Sequence, residues 1–418
     1  MRKRILAMLL CTTMIATMLI GCGSSGTTEI TEKETTEEAV EETPAEESAE
    51  DLVAKGKELR EARSYEEAYE YFLKAEELGS VEAVYYIAYA YHYGSGVEKD
   101  TDKALELYQK AADENFAGAY NNMGYMYQNG EGVEVDYARA IELYEKAAEL
   151  GETRAMGNIA HSYIYGLGVE KDADKAIEWY LKKAEAGEPE GYYNIGGLYK
   201  EGANGLIEPD GYKAIEWLEK AANENYVDAM TSIGFIYNHG EGGVEQDYTK
   251  AMEWYEKAAD GGSAIAMWNM AYLYRDGKGV EKDIDKAIEW MVKCGELKKS
   301  TTNTAWSELG YWYYTGTGVE QDYTKALEWF EKAVEEDDGF AMNMLGLMYN
   351  GGRGVEKDDE KALEWLIKSA ESGDVDGMYN AGYFYYLGLG TEADSEKAKE
   401  WYDKAVEAGR SSVWYGDK

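Results

Sequence analysis

The chain has little cysteine, little histidine and a shortage of positive charge, and each absence removes a class of chemistry. Only three of its 418 residues are cysteine. Cys11 lies within an N-terminal apolar stretch and Cys22 closes it, so Cys294 alone remains in the body and no internal disulfide framework is possible there. Three histidines, His92, His161 and His239, are spread along the chain. A shared metal or a histidine base needs its groups within roughly 3 Å of one another, so neither is expected, and no cofactor is. Lys and Arg number 42 against 82 Asp and Glu, a net charge of −40. Such a surface repels phosphate backbones and anionic headgroups over a Debye length of about 8 Å, which argues against nucleic-acid binding. Solubility accounts for the carboxylates, with a charge-selective partner as the alternative.

The first 21 residues have the parts of an export signal: basic Arg2, Lys3 and Arg4, an apolar run from Ile5 to Ile20, and small residues at the end. The run closes Leu19-Ile20-Gly21-Cys22, which resembles the bacterial lipobox. That resemblance implies acylation of the Cys22 thiol and cleavage before it, leaving a mature chain anchored by its lipid on the outer side of the cell membrane. Residues 22–50 carry ten glutamates relieved only by Lys33. Too few apolar side chains are present to offset the entropy of ordering, so this stretch reads as a disordered acidic tether. A flexible chain of that length spans on the order of 30 Å, which lifts the body from the membrane.

The body, residues 51–410, is repetitive. Asp-x-x-Lys/Arg-Ala occurs nine times, with its alanine at Ala104, Ala140, Ala176, Ala214, Ala251, Ala287, Ala326, Ala362 and Ala398. Spacings of 36 to 39 residues sustained over that length predict a solenoid, in which each unit buries its apolar face against its neighbours. Each unit reads as two helices. The first starts with a small residue such as Ala83, Ala119 or Ala155, with an apolar residue four places on, a second small one at five and tyrosine at eight. Those offsets share one helical stripe. Glycine pairs such as Gly94/Gly96 then end the helix. Aspartates such as Asp100 and Asp136 sit where an N-cap carboxylate would accept the first amides of the second helix. Three places after the motif alanine come Trp179, Trp217, Trp254, Trp290, Trp329, Trp365 and Trp401, with Leu107 and Leu143 earlier, a column that reads as core. The first unit is represented by a lone helix, 65–78, and residues 411–418 form a tail without repeat signature.

The consensus Ala-x-x-x-Leu-Gly-x-x-Tyr-x-x-Gly-x-Gly-Val-x-x-Asp-x-x-Lys-Ala-x-x-Trp-Tyr resembles the Sel-one-like repeat, a relative of the tetratricopeptide repeat. The resemblance covers roughly residues 65 to 410. It implies an all-α, α/α superhelix of about nine helix pairs whose concave face binds proteins or peptides. Some disulfide-rich members have been described as β-lactamases or penicillin binders. This chain lacks their paired cysteines and has no Ser-x-x-Lys in its body, so that activity is not carried over and no catalytic residue is assigned.

Other enzymatic readings also lack support. No glycine loop continues as the Gly-Lys-Ser/Thr of a P-loop, and none carries the alternating acidic ligands of a calcium hand. Cys294 occupies a column that holds Ala111, Ala147 and Ala221 elsewhere, which points to a small buried thiol. In a repeat, residues that leave the register are free to carry function. Trp268, Trp306 and Trp312 lie outside the tryptophan column, beside a longer connection that carries Lys298 and Lys299. Tryptophan next to a basic spot on an acidic solenoid is a candidate partner-binding site, with packing between units the competing reading. Asn122, Asn158, Asn194, Asn269 and Asn380 form a further column, open either to structural hydrogen bonding or to clamping a peptide backbone. The expectation is a lipid-anchored, extracytoplasmic, non-catalytic scaffold for a protein or peptide. A binder or hydrolase of cell-wall peptidoglycan fragments is the alternative.

Overall fold

A computed structural model describes residues 47–297 and 304–411. The described residues form twenty α-helices in ten antiparallel pairs, without a strand. The first five pairs are α1 (Ala49–Glu61) with α2 (Tyr65–Glu77), α3 (Val81–Tyr93) with α4 (Thr101–Asp113), α5 (Ala117–Asn129) with α6 (Tyr137–Glu149), α7 (Thr153–Tyr165) with α8 (Ala173–Glu185), and α9 (Glu190–Glu201) with α10 (Gly211–Asn223). The other five are α11 (Val227–His239) with α12 (Tyr248–Asp260), α13 (Ala264–Asp276) with α14 (Ile284–Glu296), α15 (Ala305–Thr315) with α16 (Tyr323–Val334), α17 (Gly339–Gly351) with α18 (Asp359–Glu371), and α19 (Val375–Leu387) with α20 (Ser395–Glu407). None of these helices is long and apolar enough to cross a membrane. The signal segment, Cys22 and nearly all of the tether lie outside the described residues.

Two boundaries differ from the sequence reading. The 65–78 helix is not alone: α1 pairs with it, and the serine and aspartate at its start, Ser48 and Asp51, form a reciprocal capping box. Helical structure therefore begins at Ala49, inside the stretch assigned to the tether.

The recurring aspartate closes the loop of each of the nine pairs from α3–α4 to α19–α20 twice. Its carboxylate accepts the amide three residues on, as from Lys103 to Asp100 at 3.0 Å. Its own backbone N–H donates to the carbonyl of the recurring tyrosine, from Asp100 to Tyr91 at 2.9 Å and equivalently in all nine units to Asp394 and Tyr385 at 2.8 Å. The lysine before the motif alanine then lies over that tyrosine ring, at 4.2 Å for Lys103 on Tyr91. The three recurring residue types are thus one local device that fixes the entry of the second helix.

The core lies between the two helices of a pair and between successive pairs. One recurring row of it stands four residues after the motif alanine: Tyr108, Tyr144, Leu218, Tyr255, Met291, Phe330, Leu366 and Tyr402 are all essentially inaccessible. Each packs on the second small residue of the preceding helix. A methyl group at Gly124, Gly310 or Gly382 would fall within 2.7 to 2.8 Å of the facing ring, which is why nothing larger occupies those places. The tryptophan column, read as core, is one position off this stripe: Leu143 is buried, but the seven tryptophans and Leu107 are half-buried and pack against the core from its flank. Its rings are roofed by lysines three residues on, with Lys182 3.7 Å from Trp179 and Lys220 3.5 Å from Trp217. Cys294 does fill an alanine slot: it is inaccessible, its Sγ donates to the Ala264 carbonyl at 3.3 Å, and burial pushes the thiol up to about 11.

Successive first helices approach one another, α11 to α13, α15 to α17 and α17 to α19, whereas no two second helices come into comparable contact. The solenoid accordingly bends toward its first helices, which line the inner side.

Candidate peptide-binding face

The inner face is built from three places on each first helix, two, three and six residues after the starting small residue. Six residues on stand Tyr89, Tyr125, His161, Gly197, Phe235, Tyr272, Tyr311, Leu347 and Tyr383. Tyr125, Tyr311 and Tyr383 are each close to 40% exposed. Second rings flank the column, with centroids 4.4 Å apart for Tyr89 and Tyr93, 4.3 Å for His161 and Tyr165, and 4.0 Å for Phe235 and His239. Sequence reasoning passed over this column because it followed the tyrosine two places further on, whose job is structural. Its signal was present as a recurring aromatic six after the small residue.

The places at two and three stitch neighbouring first helices together. Asn158 Nδ2 donates to Asn121 Oδ1 at 2.9 Å and Asn380 Nδ2 to Asn343 Oδ1 at 2.8 Å, each from the third place of one helix to the second of the helix before. Asn122 makes the same reach to Tyr85 Oη at 3.3 Å and also donates to Tyr108 Oη at 3.0 Å. Tyr108 in turn lies 3.4 Å from Nδ1 of His92, whose Nε2 is 2.8 Å from Glu131. Burial holds His92 below its ordinary range, against the pull of Glu131. Asn269 instead bonds back to the Ile265 carbonyl at 2.8 Å. Four of the five asparagines are therefore engaged within the solenoid, and Asn194 has no such bond.

The off-column tryptophans separate. Trp306 and Trp312 are 2% and 0% exposed, so they are packing groups and cannot present themselves to a partner. Trp306 lies flat on Trp329, centroids 5.6 Å apart, with Lys332 3.5 Å from its ring. Trp312 Nε1 donates to Glu308 at 2.6 Å and its ring meets Tyr272 edge-on. Tyr272 Oη donates to the same carboxylate at 2.5 Å, and the Arg275 guanidinium covers both rings. Desolvation, then the Glu308 bond, raises Tyr272 well above the ordinary phenol range. Trp268 alone stays on the face, half-buried and stacked on Tyr272 at 5.8 Å, with Asn269 beside it. Lys298 and Lys299 lie outside the described residues.

Among the described residues no group of histidine, cysteine and carboxylate side chains is arranged to hold a metal ion. What the face can do chemically is offer stacking surfaces in a row, with amides and hydroxyls between them, along an inner side whose rings sit in fixed register.

Comparison with known proteins agrees with this architecture. The Sel1 repeat profile matches ten times, over residues 55–80, 81–116, 117–152, 153–188, 189–226, 227–263, 264–295, 307–338, 339–374 and 375–409. The structure of a Sel1 repeat protein from Oxalobacter formigenes is 26% identical, with 75% of this chain and 89% of that one covered and a TM-score of 0.55. A protective antigen of uropathogenic Escherichia coli is 28% identical over 86% of each chain, with a TM-score of 0.48. Among curated proteins none matches. With ten repeats spanning nearly the whole described body, the chain belongs to the Sel1 repeat family.

Proposed function

We propose that the chain is a lipid-anchored extracytoplasmic scaffold that binds an extended protein segment or peptide along the face of its first helices and catalyses no reaction. Sel1-repeat proteins are generally protein-interaction scaffolds, and their solenoid is typically non-catalytic. The observation that carries the reading for this chain is the exposed aromatic column on the inner side, since rigid rings supply contact area at little entropic cost. The test is affinity capture from the membrane fraction with the full chain as bait. Replacing Tyr125, Tyr311 and Tyr383 together by Ser should lower melting by only a few degrees and weaken capture of any specific protein by about thirtyfold or more. Undiminished capture by the triple variant would overturn the placement. Retention on purified cell wall in place of protein capture would favour the peptidoglycan-fragment reading.

The anchor rests on Leu19-Ile20-Gly21-Cys22. Cys22→Ala should abolish incorporation of a labelled fatty acid and leave the chain at its precursor mass, still carrying the apolar Ile5–Ile20 run, because the acylated thiol is what directs the cleavage before it. A variant that still takes up the label would refute acylation at Cys22 as the attachment.

A further inference from the structure

Both rules of the inner face lapse at adjoining places on α7 and α9. At the second place of α7 stands Gly157, so Asn194, at the third place of α9, has no side chain to reach back to, unlike Asn122, Asn158 and Asn380. At the sixth place of α9 stands Gly197, where a ring is due between His161 and Phe235, and where an added Cβ would meet nothing within 4 Å. The missing ring leaves a cavity of about 270 Å³. Its floor is apolar, from Ile164, Leu198 and Leu218, and Asn194, His161 and Tyr165 stand around it.

The loop after α9 departs from the other units as well. A 3-10 turn at Ala203–Gly205 replaces the usual glycine loop, with Ala203 and Asn204 at φ of 44° and 57°. L-residues rarely adopt that region, and here both wall the cavity, Ala203 being 3% exposed. Charge at the rim is one-sided. Lys200 is directed to Glu241 at 3.7 Å and lies over the Phe235 ring, while Glu201 is exposed.

We infer that this cavity is an anchor site for one aromatic side chain of an extended peptide segment, with the Asn194 amide bonded to that segment's backbone. The inference rests on the reading that the inner face binds such a segment, and adds which side chain it requires and where. A guest ring would complete the column that Gly197 interrupts, stacking beside His161 and Tyr165 over an aliphatic floor. An extended segment has free backbone groups for the Asn194 amide, whereas a helix keeps its own bonded internally. The exposed Glu201 and the engaged Lys200 disfavour an acidic side chain.

The test uses the full chain and a display library of random twelve-residue peptides. Selection should recover peptides with Trp, Tyr or Phe at one fixed position. Gly197→Tyr, which supplies the missing ring from the protein itself, should weaken those peptides by about thirtyfold or more. Gly197→Ala adds one methyl into open space within a helix, so it should keep the fold and stay within a few-fold of the original affinity, and Asn194→Ala should lose roughly tenfold. Peptides whose binding is lost in the Tyr125/Tyr311/Tyr383 triple variant yet unaffected by Gly197→Tyr would overturn the anchor and leave the peptide-binding face standing. A library from which no peptide is recovered would overturn both.

Discussion

Trp312→Ala should destabilise the solenoid by about 3–5 kcal/mol, the range for removing a fully buried large aromatic side chain. The ring is inaccessible and belongs to a continuous core that runs from Ala251 to Met348, so the vacated volume lies between α13, α15 and their partners and cannot fill by moving one loop. Its loss also takes a donor from Glu308 and leaves the Arg275 guanidinium with one ring in place of two. Trp268→Ala, at a half-buried ring on the face, is the contrast and should cost no more than about 1 kcal/mol. Urea unfolding followed by circular dichroism separates the two. A Trp312→Ala protein that unfolds at the original urea concentration would show that the ring is not core and return it to the list of surface candidates.

The two buried tryptophans show what the repeat made legible and what was overlooked. Trp306 stands one residue after its starting alanine, a place held elsewhere by Val84, Met156, Met267 and Met342, and Trp312 stands seven after, where Met126, Ile236, Leu273, Met348 and Phe384 stand. The column at seven is buried in every unit, and the column at one is buried at the four places named and half-buried at Tyr120, Tyr192, Met230 and Met378. In a solenoid, burial follows position in the unit, because every unit meets its neighbours in the same way. A residue unusual in kind was thus taken for one unusual in place. The half-burial of Trp179 and its counterparts has the same origin: the stripe runs through the motif alanine and the residues four and seven later, so a residue three later lies at its flank. The helix α1 escaped notice because it lacks the Gly-x-Gly loop that marks the period, although Gly56 against the Phe72 ring repeats the small-on-large pairing of Gly124 on Tyr144. Caps, loops and pairing were legible because each is local and recurs. The cavity beside Gly197 was not, since its lining comes from α7, α8, α9, α10, α11 and the turn after α9 and gathers around one place only when those elements are stacked.

The two glycines of each loop do different work, and the second governs cooperativity. Gly277 ends α13 in the left-handed region at φ 68°, and an alanine there carries the intrinsic strain of about 1–2 kcal/mol. Gly279, at φ 71°, carries the same strain and more: its added Cβ would fall 2.4 Å from the carbonyl carbon of Tyr248, at the start of α12 in the preceding pair. That neighbour is backbone and cannot swing aside, so the loop must lift, breaking the bond from Thr249 Oγ1 to the Gly279 carbonyl at 3.3 Å and disturbing Val280 where it packs on the core. Overpacking of this kind adds about 1–3 kcal/mol, giving roughly 2–5 kcal/mol for Gly279→Ala against 1–2 for Gly277→Ala. The loss falls on one interface between neighbouring pairs. Because stability in a solenoid is close to a sum of unit and nearest-neighbour contributions, weakening that interface uncouples α1–α12 from α13–α20. Calorimetry of Gly279→Ala should therefore resolve two unfolding transitions where Gly277→Ala gives one at a slightly lower temperature. A single, unshifted transition in the Gly279 variant would show that this contact does not couple the pairs.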